Sequence, residues 1–456
     1  MKKFLALALA LVMALGLAAC GTVTSTEPST PAPAAPAAQP ADSGSSAAPA
    51  EATPAAASSI TLWTYPVGGW GNEETVKALT DAFTAETGIA VTVEYLTYAD
   101  GDDKVNTALT AGQGPDLILE GPERLVSNWG ANGYMVNIAD LFDGADKSEL
   151  NPAALDACFA DANTAYEYPL VMTAHCMGIN LNAFKEAGAD QYINTDTHTW
   201  TTEQFISAVN ALEAKFGGTV GAVFCAGQGG DQGTRALVNN LYGGTFTNAE
   251  HTKYTWDDAK NVQALKELYD LKGIAYDPAI VGGDEIALFY TGTLKMAFCW
   301  NIAQQLNPNS ADTGAEKTLN GDDIVFMAFP SEDGNAKLQG GIWGFGIFDN
   351  GDQGRIDAAK QFIQFMCDSD HTVDAVRAAN FFPARTTVDA WSDNPIMGEY
   401  NKLMPMLGDY YQVTTGWAPA RTAWWNMLQQ VGASDGSQAA IEAAVAQYCA
   451  EANSGT

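Results

Sequence analysis

The period of the apolar residues switches between two and about 3.6 as the chain runs from Ile60 to Leu119, a rhythm that an α/β layered fold accommodates. Ile60 to Trp63 is a short apolar β run. Asn72 stands where it caps a helix with Glu73 and Glu74 in the first turn, an apolar stripe of Val76, Leu79 and Phe83, and Gly88 at its end. Ile89, Val91, Val93 and Tyr95 alternate as a strand, Val105 and Leu109 mark a short helix closed by Gly112, and Leu117 to Leu119 is the next buried strand. Strands separated by helices pair in parallel through right-handed crossovers, so a mostly parallel sheet flanked by helices is predicted.

A second block begins near Tyr168-Pro169-Leu170, where apolar runs lead to a strand ending at Ile179-Asn180. Phe205, Val209, Leu212 and Phe216 form one face of a helix ended by Gly217. Val262, Leu265, Leu268 and Leu271 form another, with Asp257 and Asp258 at its start and Gly273 at its end. Strands from Leu294 to Trp300 and from Ile324 to Phe329 follow, then a glycine-spaced strand from Gly340 to Phe348 whose glycines permit close backbone approach. A helix with Phe362, Ile363 and Met366 comes next, and the chain finishes in helices among Trp- and Pro-rich loops, without internal repeats.

Lys2 and Lys3 precede an apolar run from Phe4 to Leu17 that ends in Leu17-Ala18-Ala19-Cys20, which reads as a secretory signal peptide over residues 1–19. The run is short for a membrane span of about 20 residues. Leu-Ala-Ala-Cys looks like a bacterial lipobox, in which Cys20 is lipidated and two acyl chains anchor the protein to the membrane. Residues 20–59 are dominated by Ala, Pro, Ser and Thr and lack aromatic side chains, so they are expected to form a disordered tether.

From Ile60 to Thr456 the chain is long enough for two domains. With 54 acidic against 22 basic side chains and a net charge of -32, its surface repels phosphate backbones, which excludes nucleic acid as a partner. Cys158, Cys176, Cys225, Cys299, Cys367 and Cys449 show no Cys-x-x-Cys or Cys/His spacing, so no metal or cofactor is implied and most are expected to be buried thiols. Asp100-Gly101-Asp102-Asp103 lacks the closing Glu of a calcium loop and reads as a polar turn.

Several fragments carry a family likeness through their order: Phe83-Thr84-Ala85-Glu86-Thr87-Gly88-Ile89, Gly114-Pro115-Asp116-Leu117-Ile118, Tyr168-Pro169 leading to Gly178-Ile179-Asn180, Thr199-Trp200 with Glu203, Thr291-Gly292-Thr293-Leu294-Lys295-Met296-Ala297, and Gly340-Gly341. In that order they resemble the extracellular solute-binding proteins of carbohydrate importers, the cluster that includes the maltodextrin-binding proteins. The resemblance implies a type II periplasmic-binding-protein-like fold of two hinged α/β lobes, each discontinuous in sequence. Residues 60–169 with 330–375 would form one lobe, and residues 170–329 with 376–456 the other. Crossings are expected near Tyr168-Pro169-Leu170, near Phe329-Pro330, and between Asp370 and Ala379. The implied function is capture of a sugar or oligosaccharide outside the cytoplasmic membrane and delivery to the membrane subunits of an ABC importer, by a monomer without enzymatic activity.

A sugar offers hydroxyls and C–H patches, which call for carboxylates, amides and flat aromatic faces. The resemblance places Glu120, Glu123 and Arg124 where maltodextrin-binding relatives have a stacking Trp followed by an acid-Arg pair; Glu123 and Arg124 match, and Glu120 departs. Asp231 aligns with an acidic contact of the other lobe, whereas Gly233 replaces the relatives' aromatic and Thr173 replaces their acid after the first crossing. Trp63, Tyr65, Trp300, Asn301 and Trp343 are further expected ligand contacts, and one of Trp424 and Trp425, taken as Trp424, would stack on the ligand. Acids with aromatics also suit a cationic solute such as a polyamine, and an extracytoplasmic glycosidase needs only two carboxylates, so both remain rival readings.

Overall fold

The structure is a computed structural model, described for residues 57–454 except residue 99 and residues 144–146, 228–230, 256–257 and 302–316. The expected signal peptide, the lipidation site at Cys20 and residues 20–56 of the tether lie outside the described residues. In the first block the elements are β1 (Ser59–Thr64), α1 (Glu73–Thr87), β2 (Ala90–Tyr95), α2 (Gly101–Thr110) and β3 (Leu117–Glu120). Asn72 accepts the Thr75 backbone N–H at 3.0 Å, and Gly88 ends α1 at φ 75°, a conformation that costs glycine little. Both β2 and β3 pair in parallel with β1.

Beyond a small antiparallel hairpin of Phe159–Asp161 with Thr164–Ala165, the next strands are β4 (Tyr168–Ala174), β5 (Cys176–Asn180), β6 (Gly221–Phe224), β7 (Ile274–Asp277), β8 (Met296–Trp300), β9 (Ile324–Met327), β10 (Gly340–Ile347) and β11 (Phe382–Pro383). The first sheet has six strands in the order β11-β4-β10-β3-β1-β2. Only its β3-β1-β2 part is parallel. The prediction of a mostly parallel sheet is thereby corrected, because β10 lies antiparallel to β3 and to β4. The second region holds an antiparallel β8-β5-β9 sheet and a parallel β6-β7 pair.

The remaining long helices are α3 (Thr202–Phe216), α4 (Asp231–Tyr242), α5 (Ala259–Asp270), α6 (Gly282–Tyr290), α7 (Gln353–Cys367), α8 (Thr372–Ala379), α9 (Trp417–Ala433) and α10 (Gln438–Asn453). Phe216 departs from its expected place on the apolar stripe: it is 36% exposed in the last turn of α3, with the Lys295 ammonium 4.8 Å from its ring centre. Asp258 caps α5, and the helix stops at Asp270, before Gly273.

Two hydrophobic cores result, each assembled from separated stretches. One draws on residues from Ile60 to Val171 and from Phe345 to Ala390. The other draws on Ala154 and Ala157, on residues from Met172 to Ile342, and on residues from Phe382 to Ala452. The first passage between sheets is at His175, between β4 and β5, later than Tyr168-Pro169-Leu170. The second runs between β9 and β10. The stretch expected to hold the third is instead α8, whose Ala375, Val376 and Ala379 belong to the first core; the passage comes after β11.

Where the first two passages meet, the His175 backbone N–H donates to the Gln339 carbonyl at 2.7 Å. The Gln412 side chain donates to the Gly340 carbonyl at 3.0 Å. A Cβ on Gly340 would lie 1.7 Å from the Thr173 carbonyl oxygen, so the strands approach this closely only because that atom is missing. Gly340→Ala is expected to lower the unfolding free energy by about 1–3 kcal/mol, as overpacking does. Urea unfolding followed by tryptophan fluorescence measures it, and an unchanged midpoint would contradict the close approach.

Candidate functional site

The carboxyl ends of parallel strands are where open α/β sheets bind ligands, and in this chain those ends carry the charged and aromatic side chains. Tyr65 follows β1, Tyr98 follows β2, Glu120 ends β3, and Glu123 and Arg124 occupy the helical turn after it. The Arg124 guanidinium donates to Glu120 at 2.8 Å and to Asp102 at 2.7 Å. It lies over the rings of Tyr65 and Tyr98, 5.2 and 5.7 Å from their centres. Those rings stack with centres 5.1 Å apart, and Tyr98 keeps 51% of its surface exposed. Trp343 on β10 lies close enough to Tyr98 to influence its hydroxyl, and it stacks on Phe381 with ring centres 4.9 Å apart.

Glu123 connects this group to the second core. One of its oxygens is 3.7 Å from Arg124, and the other accepts the Tyr410 hydroxyl at 2.9 Å. Tyr410 belongs to the second core.

Glu120 is 1% exposed and Glu167 is fully buried. Burial raises the Glu120 carboxyl to about 8 even with Arg124 opposing the shift. Burial also pushes Glu167 well above the carboxylate range, with Glu123 and Glu120 adding to the effect. Among the described residues neither oxygen of Glu167 finds a hydrogen-bond partner.

On the second side Asp231 opens α4, 2% exposed. Arg421 on α9 grips both its oxygens, at 2.6 and 2.9 Å, and Arg235 adds a further bond. Burial opposes the Asp231 charge, yet Arg235 and Arg421 outweigh it and hold the carboxyl below the usual range. Arg235 donates to the Tyr411 hydroxyl at 3.0 Å and lies 4.8 Å from the centre of the Trp417 ring. A cavity of about 560 Å³ opens beside the second passage, lined in part by Asn240, Phe246, Glu332, Lys337, Asp409 and Tyr411.

This arrangement of two discontinuous cores with charged groups flanking the passages is matched in sequence over residues 69–370 by the family of bacterial extracellular solute-binding proteins. The chain belongs to that family. No curated protein matches it by sequence. Among solved structures, it is similar to the sugar-binding protein MalE from Xanthomonas citri, at 14% identity and TM-score 0.70, covering 87% of this chain and 97% of that one. The cyclic alpha-maltosyl-1,6-maltose binding protein from Arthrobacter globiformis matches at 17% identity and TM-score 0.67, covering 88% and 100%. The GacH receptor of Streptomyces glaucescens, solved unliganded and with acarbose, matches at 16% identity and TM-score 0.65, covering 86% and 99%. At such identities the likeness establishes a two-lobed type II binding-protein fold.

In this solute-binding protein Tyr65, Glu120, Glu123, Arg124 and Trp343 come together, while other expected contacts do not join them. Trp300 is a core residue: it is fully buried in the second core, its indole N–H is bound to the Tyr400 hydroxyl, and its ring centre lies 5.3 Å from that of Phe289. Trp424 is likewise fully buried, its N–H donating to Thr234 at 3.1 Å. Trp63 lines a different place, a cavity of about 640 Å³ at the amino end of β3 that it shares with Pro115 and Tyr134. Asp231 has both oxygens taken by arginines, so Arg421, with 21% of its side chain exposed, is the more accessible polar group there. Asn301 is half-buried and borders residues 302–316, outside the described residues.

Tyr98, Glu167 and Tyr410 were not anticipated. Glu167 had a legible signal, since it is an acid flanked by Tyr166 and Tyr168 at the mouth of a fully buried strand.

Two expectations follow. The Glu120 carboxyl is raised from 4.5 to about 8 in the folded chain, so its favourable contribution is complete below about pH 4.5 and is lost as the pH rises through 8. Glu120→Gln, neutral throughout, is expected to flatten the decline in unfolding free energy between about pH 5 and pH 8 by roughly 1–3 kcal/mol. Urea titrations at several pH values measure it, and superimposable profiles would contradict the shift. Trp300→Ala is expected to cost about 3–5 kcal/mol of stability, as loss of a buried aromatic does. A destabilisation below about 1 kcal/mol in the same urea assay would return Trp300 to the cleft.

Proposed function

We propose that this protein captures a sugar or oligosaccharide with high affinity outside the cytoplasmic membrane, closing its lobes on the ligand and delivering it to the membrane subunits of an ABC importer. The observation that carries the reading is the convergence of Glu120, Glu123, Arg124, Tyr98 and Trp343 at the strand ends beside the passages between cores, with Arg421 on the opposing side. Carboxylates and a guanidinium suit hydroxyls, and ring faces suit sugar C–H patches. The similar solved proteins, one named as sugar-binding, one for cyclic alpha-maltosyl-1,6-maltose and one crystallised with acarbose, support the same ligand class.

Closure requires a ligand that binds the closed state better than the open one. The Tyr410 to Glu123 bond is suited to report it, since it ties the turn after β3 to a residue of the second core. The same proposal makes residues 1–19 a signal peptide, Cys20 the lipid-bearing residue and the stretch from residue 20 up to β1, which already includes Ser59, the tether of a monomeric receptor. A coil of about 40 residues reaches roughly 35 Å, enough to lift the lobes clear of the lipid surface. Capture rather than turnover is proposed because the family is one of binding proteins.

A thermal-shift screen over mono- and oligosaccharides tests the reading, because a ligand specific to the folded state raises Tm by mass action. For the ligand found, Glu123→Ala is expected to weaken binding by about 1–3 kcal/mol without unfolding the protein. Small-angle scattering should show compaction on saturation. If no sugar alters Tm and none compacts the molecule, sugar capture is wrong.

A further inference from the structure

Four carboxyls, Asp102, Glu120, Glu123 and Glu167, gather at the first-lobe side of the site, and Arg124 reaches the first three of them. The arginines of the second side, Arg235 and Arg421, are engaged with Asp231. Glu167 shows the imbalance most plainly, being fully buried with both oxygens unpartnered among the described residues. A buried carboxyl without a donor costs free energy that a ligand donor recovers.

The backbone is shaped to bring these groups together. Gly344 on β10 lies directly opposite Glu120 on β3. A Cβ on Gly344 would sit 2.8 Å from a Glu167 oxygen, and one on Gly121 would sit 2.7 Å from a Glu123 oxygen. Both glycines thus leave room for carboxyls to close on the point where Glu120 emerges, next to the half-exposed ring of Tyr98.

Neutral sugar hydroxyls supply donors but no charge. An ammonium supplies three donors and a full positive charge, and it is attracted to an aromatic face. We propose that the ligand is an amino sugar or an aminated oligosaccharide, whose protonated nitrogen docks among Glu120, Glu123 and Glu167 beside Tyr98. This rests on the sugar-capture reading and names the ligand class within it. In the empty protein, protons on the buried Glu120 and Glu167 offset the missing cation, consistent with the upward displacement of both carboxyls.

Calorimetry on the intact chain, with matched pairs as probes, tests the proposal: glucosamine against glucose, galactosamine against galactose, and a chitosan trimer against cellotriose. N-acetylglucosamine, which keeps the nitrogen but loses its charge, and spermidine complete the set. The expected result is that an amine-bearing sugar binds at least about tenfold tighter than its neutral partner and its acetylated form. Glu167→Gln is expected to erase most of that preference. If Glu167→Gln does not fold, glucosamine against N-acetylglucosamine on the unaltered chain decides the question. Equal or tighter binding of the neutral sugars overturns the inference and leaves sugar capture standing. Binding of spermidine with no sugar bound, or of none of the probes, overturns both.

Discussion

Two hydrophobic cores woven from interleaved stretches of one chain must share their connections, and the close pairing of β4 with β10 is what makes those connections a hinge. The two strands approach at Thr173 and Gly340 more tightly than any side chain at residue 340 would allow. The His175 to Gln339 backbone bond then fastens the passages to each other. Burial lowers the His175 imidazole to about 4, so the hinge carries no charge there at neutral pH. That matters because the Asp231, Arg235 and Arg421 group is near enough to shift the same imidazole. A neutral crossing lets the charged side chains on either side respond to a ligand rather than to the strands that join them.

Local physics made the first block readable. The Asn72 cap, the αL glycine at residue 88 and the period-two strand from Ala90 to Tyr95 are short-range features, and each is where the chain dictates. The direction of β10 was not readable in the same way. Whether a strand enters a sheet parallel or antiparallel depends on which side the chain returns from. Here it returns through the second passage from the other lobe, which no local pattern encodes. The displaced crossings have the same origin: α8 has the periodicity of an ordinary core helix, and only its packing reveals which core it serves, as when the Trp70 indole donates to the Ala375 carbonyl at 3.1 Å.

The site shows a sharper division. Glu120, Glu123 and Arg124 were reached through the resemblance, and they stand at the last residue of β3 and in the turn after it. The roles of the tryptophans were not legible, because a Trp at a strand end and a Trp filling the core look alike in a sequence. Trp300 and Trp424 satisfy their indole N–H groups inside the second core, through Tyr400 and Thr234, as buried tryptophans must. Tyr410 lies nearly three hundred residues from Glu123 and joins it only through the fold.

The two sides of the site are electrostatic opposites, and that asymmetry bears on how closure is driven. Asp231 is oversupplied with donors, which fixes its charge and its geometry before any ligand arrives. Such a preorganised group contributes the same field in both conformations, so by itself it cannot favour one of them. Glu120, Glu123 and Glu167 are undersupplied, and the deficit is partly met by a hydroxyl from the other core, that of Tyr410. When the cores separate, that donor leaves and Glu123 must take water or ligand in its place. The acids are therefore the groups whose free energy changes most between conformations, and a ligand that satisfies them acts on the equilibrium in a way that one gripping Asp231 alone does not.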